Sequence, residues 1–230
     1  MRMVEEYRDS HKGKIWIIGS GRSLDDFPQM FFKDKITIAM NYTGLAFPKC
    51  PDFPTYSVHI HEEALQDMLK WKPGFLKRCI LAWLPPDRTE GLTWPEDYNQ
   101  DPVWIRWHAW VLKKEDIENT VAQMMDKERR KDCVHLSFYT TLHVAIEVAV
   151  ILGAENVTLA GADPYQTAEQ SHALRIKNPN GEPIYRQRKI GPSKNMECWR
   201  KGNLWLAQAF KPYGIQVRRF YYPDGYEEIE

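Results

Sequence analysis

The chain has 230 residues, enough for one substantial domain or one domain with a lid, and is 43% hydrophobic and 27% charged, an ordinary balance for a soluble globular protein. Lysine plus arginine and aspartate plus glutamate number 31 each, so no global basic field points to nucleic acid. Cys50, Cys79, Cys133 and Cys198 are scattered without Cys-x-x-Cys spacing, the N-terminal residues are charged, and no apolar run reaches membrane-spanning length; the expectation is a chain without disulfide framework, zinc knuckle, signal peptide or membrane span, working in a reducing cytoplasm.

Along the chain, strand-like and helix-like patterns alternate, which predicts an α/β fold: a Rossmann-like, mostly parallel sheet with helices on both faces, forming one domain over 1–230. The first strand is Lys14 to Ile18, rich in β-branched residues and stopped by Gly19-Ser20-Gly21. A helix is predicted from Ser23, with Asp25 and Asp26 favourable in its first turn. Ile36 to Met40 reads as a second strand ending at Asn41, and Tyr56 to Ile60 as a third leading into a helix from Glu62 to about Trp71. Cys79 to Leu84, stopped by two prolines, makes a fourth strand, and Val103 to Trp107 a fifth. Asp116 to Lys131 is an amphipathic, highly charged helix whose basic end, Lys127 to Lys131, suits the helix dipole or a phosphate. The clearest helix runs from Thr140 to Leu152 with Gly153 at its C-cap, followed by a buried strand from Asn156 to Ala160. Residues 166–192 carry no periodicity and include an Asn-Pro-Asn-Gly turn, the signature of an active-site lid or a disordered loop. A helix from Ser193 to about Phe210 and a strand from Ile215 to Phe220 complete the pattern. Nine tryptophans and eleven tyrosines fit either a stacking ligand or a well-packed core.

Ligands of an open α/β sheet bind at the carboxyl ends of its strands, and those ends can be read directly. The first presents Gly19, Ser20, Gly21, Arg22 and Ser23; its glycines allow a tight turn and close ligand approach, and free N–H groups with the positive end of the next helix would hold an anion such as phosphate. Leu24 replaces the third glycine of the dinucleotide fingerprint, and no Gly-Lys-Ser/Thr follows, so neither that fingerprint nor a Walker loop is present. The second strand ends at Asn41, whose amide suits a ribose or base edge and equally a simple turn. The third ends His59-Ile-His61-Glu62: a metal site, a general base, or two solvated histidines. Thr140 and Thr141 bond a phosphate or cap their own helix. Gly161, Asp163 and Tyr165 end the buried strand, where Asp163 coordinates Mg²⁺, bonds a ribose or caps the turn before Pro164. The lid adds Arg186, Arg188 and Lys189, cations suited either to a diphosphate-like leaving group or to solvent.

These parts, in this order, resemble the bacterial lipo-oligosaccharide sialyltransferases and the wider group that includes archaeal 6-hydroxymethylpterin pyrophosphokinases and motility-associated sialyltransferase-like proteins. The family's Gly-x-Gly-Pro-Ser-Leu loop corresponds to Gly19-Ser-Gly-Arg-Ser-Leu24, and its nucleotide-contacting Asn to Asn41. Its helix opening Thr-Ser-Gly corresponds to Tyr139-Thr-Thr141, its Leu-Gly to Leu152-Gly153, and its Leu-x-Gly-x-Asp-x-Tyr to Leu159 through Tyr165. Its Ile-Gly-His-Ser-Lys-Asn corresponds to Ile190-Gly-Pro-Ser-Lys-Asn195, so Pro192 stands where the sialyltransferases carry their general-base His, and Lys189 stands for a lid Tyr that bonds the donor phosphate.

The resemblance implies a nucleotide-sugar-dependent glycosyltransferase that needs no cofactor beyond a CMP- or UDP-linked donor. Gly19 to Ser23, Asn41, Thr140, Thr141, Gly161 and Tyr165 would hold the nucleotide, and Arg188 and Lys189 the leaving phosphate. The base would be His61, His172 or Asp163, and the acceptor a glycan or a modified base of phage DNA. Related sialyltransferases are often oligomeric, which implies homo-oligomers here. The alternatives are Mg²⁺-dependent pyrophosphoryl transfer from ATP, with Asp163 as metal ligand, and a nucleotide-binding module without catalysis.

Overall fold

Short runs rich in β-branched and aliphatic residues, closed by Gly19 after the first long strand, Asn41 after the next and Gly161 after the last buried one, become the central strands of one large sheet. In chain order the elements are β1 (Arg2–Met3), β2 (Gly13–Ile18), β3 (Thr37–Met40), β4 (Tyr56–His59), α1 (Glu62–Trp71), β5 (Cys79–Ala82), β6 (Val103–Ile105), β7 (Trp107–Trp110), α2 (Lys114–Met125), β8 (His135–Ser137), α3 (Thr141–Ile151), β9 (Ala154–Ala160), α4 (Lys194–Phe210), β10 (Gln216–Tyr221) and β11 (Gly225–Glu228). The computed structural model describes residues 2–60, 62–72, 79–82, 103–105, 107–110, 114–126, 135–137, 140–163, 172–184 and 194–229.

The nine-stranded sheet has the order β1-β6-β5-β4-β3-β2-β9-β10-β11. Every pairing in it is parallel except β10 with β11. From β2 the chain builds outward through β3, β4, β5 and β6, then returns to the other side of β2 with β9 and β10. The order therefore reverses between β2 and β9, which is where an open α/β sheet forms its ligand crevice. The expected α/β architecture, a mostly parallel sheet flanked by helices, is what the chain adopts.

Burial follows the pleat. Ile15 and Ile17 point to one face with Ile38, Val58, Val157 and Leu159, packing on α2, α3 and α4. Trp16 and Ile18 point to the other, against Leu24, Phe27, Phe32, Phe47, Leu65, Met68, Ala173 and Ile176. Each buried Val, Leu, Ile, Phe or Met among them contributes about 1.5–3 kcal/mol. Helix α3 is mostly apolar and lies almost wholly buried, and it takes the polar Thr141, His143 and Glu147 into the interior with it. Its last carbonyls, on Ile151 and Leu152, accept hydrogen bonds from the Asp9 and His11 amides at 3.0 and 2.7 Å, so the residues before β2 close the buried end of the helix. Much of the aromatic content is core: Trp16, Phe27, Phe31, Phe32, Phe47 and Phe220 meet largely edge to face at 4.8–5.9 Å.

Several expectations change. The helix predicted from Ser23 is a five-residue 3-10 turn, Arg22–Asp26. Pro28 is the reason: it pushes Phe27 into extended geometry (φ −72°, ψ 134°), and the turn cannot continue. The fifth strand ends at Ile105, and Trp107 begins β7, which pairs with β8 in a separate two-stranded sheet. The charged helix runs Lys114–Met125, and the basic run 127–131 lies outside the described residues. The strand expected to end at Phe220 continues to Tyr221 and folds back as β11, with Tyr221 opposite Gly225. Among the described residues, no helix is long and apolar enough to cross a membrane.

Candidate functional site

At the switch point the loops after β2 and β9 meet. The Gly19 amide donates to the Ala160 carbonyl and the Gly21 amide to the Gly161 carbonyl, both at 2.7 Å. Gly161 has φ +67°, a left-handed conformation that a side chain would strain. A Cβ on Gly19 would overlap the Gly161 carbonyl, and one on Gly21 would overlap the Asp163 carboxylate. Asp163 takes the Ser23 amide on Oδ2 at 2.8 Å and the Ser23 hydroxyl on Oδ1.

This corrects the expected anion cradle. The Gly19 and Gly21 N–H groups are not free; they join one loop to the other. The following turn is too short to carry a helix dipole, and the anion at its start is the chain's own Asp163. The glycines permit two backbones to touch, and Asp163 ties the two loops together through Ser23, a role outside the three expected of it.

One strand away, the end of β3 is arranged differently. Asn41 sits at φ +49°, which asparagine tolerates better than most residues. Thr43 fixes the turn after it, accepting from the Met40 amide at 2.7 Å and donating to the Ile18 carbonyl at 2.9 Å. The Asn41 Nδ2 group donates to the Thr141 hydroxyl at 3.1 Å, joining β3 to the start of α3. Its Oδ1 is buried and, among the described residues, has no hydrogen-bond partner. A buried amide oxygen left in this state costs roughly 1–3 kcal/mol, a cost that a hydrogen-bond donor entering the corner would remove. Thr140, the residue before α3, accepts from the His143 amide at 3.4 Å and thus caps its own helix.

The third wall is a piece of the expected lid. Residues 172–176 lie across the first loop. The Ser20 hydroxyl and His172 Nδ1 share a hydrogen bond of 3.1 Å, and the Ala173 amide donates to the Ser20 carbonyl at 2.8 Å. Ala173 and Ile176 are buried in the core beside Leu24. Beyond them the Asn178 side chain accepts from the Asn180 and Glu182 amides at 3.0 Å, closing the predicted Asn-Pro-Asn-Gly turn. This part of 166–192 is docked structure, and the apolar Ala173 and Ile176 inside a polar segment are the signal that could have shown it.

The other residues expected at the site divide in two. His59, read as a metal ligand, base or solvated histidine, is fully buried at the end of β4, which overturns the solvated reading. His61, Tyr165, Arg186, Arg188, Lys189 and Pro192 lie outside the described residues. Sequence reasoning missed Tyr221, Arg175 and the wider role of Asp25. Burial raises the Tyr221 pKa, with Glu227 and Asp163 adding to the shift, so the phenol stays neutral beside the second loop. Burial lowers the Arg175 pKa while Asp25 and Asp26 oppose that, which marks a guanidinium partly withdrawn from water. Among the described residues no three His, Cys, Asp or Glu side chains converge as a metal site.

No family model matches the chain, and no curated protein is significantly similar to it. Solved structures of similar fold are sialyltransferases. A single-site variant of CST-II in complex with CMP aligns with a TM-score of 0.50 at 15% identity, over 92% of this chain and 83% of that one. CstII from Campylobacter jejuni with the substrate analogue CMP-3FNeuAc gives 0.47 at 16% identity, over 93% and 82%. CST-II with a trisaccharide acceptor and CMP gives 0.42 at 11% identity, over 92% and 82%. At these identities the likeness is one of fold.

Proposed function

We propose that the chain is a glycosyltransferase that moves a sugar from a CMP- or UDP-linked donor to a hydroxyl acceptor. The observation that carries the reading is the orphaned Asn41 amide oxygen, buried beside Thr141 at the strand end next to the switch point. Buried acceptors are nearly always satisfied, and a nucleotide's hydroxyl or amino group supplies the missing donor. A protein of the same fold was solved with CMP, which fits that ligand class.

In this reading Asn41 and Thr141 hold the nucleoside, with Thr140 fixing the cap on which Thr141 stands. Ser20, Arg22 and Ser23 on one side and Gly161 on the other line the donor, and Tyr165 is the sequence's further candidate for holding it. Arg188 and Lys189 are the sequence's cations for the departing phosphate, whose charge grows as the bond to the anomeric carbon breaks. The acceptor oxygen attacks that carbon and gives its proton to a base. With Pro192 in place of the family's histidine, His172 is the preferred base: it is an imidazole already bonded to Ser20 at the crevice. Asp163 serves better as the tie between loops, since both its oxygens are engaged by Ser23. The acceptor is a glycan hydroxyl; a hydroxylated DNA base is the alternative, and a competition assay with both separates them.

The direct test is thermal stabilisation by CMP, UDP, GDP and ATP, each with and without Mg²⁺. A ligand at a hundred times its dissociation constant stabilises the fold by about 2.7 kcal/mol. Metal-independent stabilisation by CMP or UDP is expected. A shift confined to ATP with Mg²⁺ would transfer the assignment to pyrophosphoryl transfer, and no shift at all would remove the nucleotide site.

A further inference from the structure

His172 does not reach Ser20 by its own contact alone. Asp25, in the short turn after the first loop, grips the two residues that follow Ala173: its carboxylate accepts from the Leu174 amide at 2.8 Å and the Arg175 amide at 2.9 Å. Arg175 answers in kind, donating from Nη2 to the Asp25 carbonyl at 2.7 Å and placing Nε 3.5 Å from the carboxylate. Arg22 pairs with the same carboxylate from the other side. The Arg175 guanidinium lies over the Phe47 ring, 4.7 Å from its centre, and both partners of the clasp are largely buried, with 16% of each side chain exposed. The clasp joins residues about 150 apart in the chain. Residues 172–175 are therefore held along the first loop by Asp25 and Arg175 together with the Ala173 amide on the Ser20 carbonyl, and His172 is the member of that segment whose side chain meets Ser20.

We propose that Asp25 and Arg175 are positioning residues that hold the His172 imidazole in register with Ser20, so that its Nδ1 faces the serine hydroxyl and the proton exchanged with the acceptor passes through Nε2. This rests on the reading of His172 as the base. The grip explains how a base could be supplied from 172 in a chain that has proline at 192. A carboxylate bonded by two successive backbone amides, with the planar Arg175 guanidinium on the same residue's carbonyl, fixes both direction and distance more tightly than the Ser20 contacts of His172 and Ala173 do by themselves.

The experiment follows the His172 ring nitrogens by long-range 1H–15N NMR, with His172→Gln to assign the signals, and measures sugar transfer from the nucleotide donor in parallel. The wild type is expected to show one tautomer, with Nδ1 protonated. Asp25→Ala is expected to give an averaged tautomer signal and to lower kcat about 100-fold with the donor KM unchanged, the cost of a misplaced catalytic group. Arg175→Lys, which keeps the charge and loses the planar fork, should fold even if Asp25→Ala does not, and should shift the same signal to a smaller extent. The proposal is overturned if either variant that folds keeps the wild-type tautomer and kcat. If the tautomer responds as expected but the wild type transfers no sugar, the clasp stands and the glycosyltransferase reading fails. If transfer is present and neither variant alters it, the clasp fails and that reading stands.

Discussion

Two corners of the crevice use polar backbone and amide groups in opposite ways. Where β2 meets β9, the donors of Gly19, Gly21 and Ser23 all find acceptors within the chain, and Asp163 occupies the place an external anion would take. Where β3 meets α3, Asn41 satisfies its amide nitrogen on Thr141 and leaves its oxygen bare. The glycine-rich signature thus marks the corner whose donors are satisfied within the chain, and the corner we propose to be receptive is marked by a single asparagine. A motif that permits close approach does not say what approaches: here it is the neighbouring loop.

The largest effect should come from the corner satisfied within the chain. Gly161→Ala meets both the left-handed φ and the Gly19 carbonyl, 2.8 Å from the new Cβ, and is expected to cost about 3 kcal/mol or more in urea denaturation, with or without ligand. A loss below about 1 kcal/mol would mean the two loops are not locked together. At the receptive corner the expectation is reversed. Asn41→Gly keeps the positive φ and should leave ligand-free stability within about 1 kcal/mol, yet abolish most of the roughly 2.7 kcal/mol that saturating nucleotide confers. An undiminished nucleotide shift in that variant would break the contrast between the corners.

The smallest effect concerns Tyr221, whose raised pKa keeps it protonated in the fold. Its contribution is fully present below the unfolded tyrosine value near pH 10 and is lost as pH rises above it, because the unfolded chain ionises first. Wild-type stability should fall between pH 10 and 11 by about 1 kcal/mol more than that of Tyr221→Phe. Parallel pH curves for the two proteins would show that the phenol is not shielded beside Asp163.

The strand segments along the chain and the crevice at their carboxyl ends were legible because they depend on local runs: Ile15 to Ile18, the apolar stretch of α3, and Gly19, Asn41 and Gly161 after β2, β3 and β9; the order of the strands within the sheet was not. The internal use of the Gly19 and Gly21 amides was not, since their acceptors lie on Ala160 and Gly161, far along the chain. The helix after Ser23 failed through Pro28, whose effect on Phe27 was readable but outweighed by the two aspartates. Strands β7, β8 and β1 are two to four residues long, and unlike the equally short β3 to β5 their sequences, Trp-His-Ala-Trp, His-Leu-Ser and Arg-Met, hold no apolar run that stands out from their neighbours. Asp25 looked like a helix-dipole residue because its neighbours invited that; its partners, Leu174 and Arg175, are 149 and 150 residues away.

The hairpin at the sheet's margin has a consequence for how these molecules behave in a crowd. Strand β11 is the outermost strand, four residues long, and its Glu227 and Glu228 pair with Arg219 and Arg218 on β10 while remaining more than half exposed. A bare β10 edge would offer another copy a ready ladder of hydrogen bonds; a short strand with charged side chains makes a poor template for growth. This protein should therefore remain dispersed at concentrations where a version ending the sheet at β10 would begin to associate edge to edge.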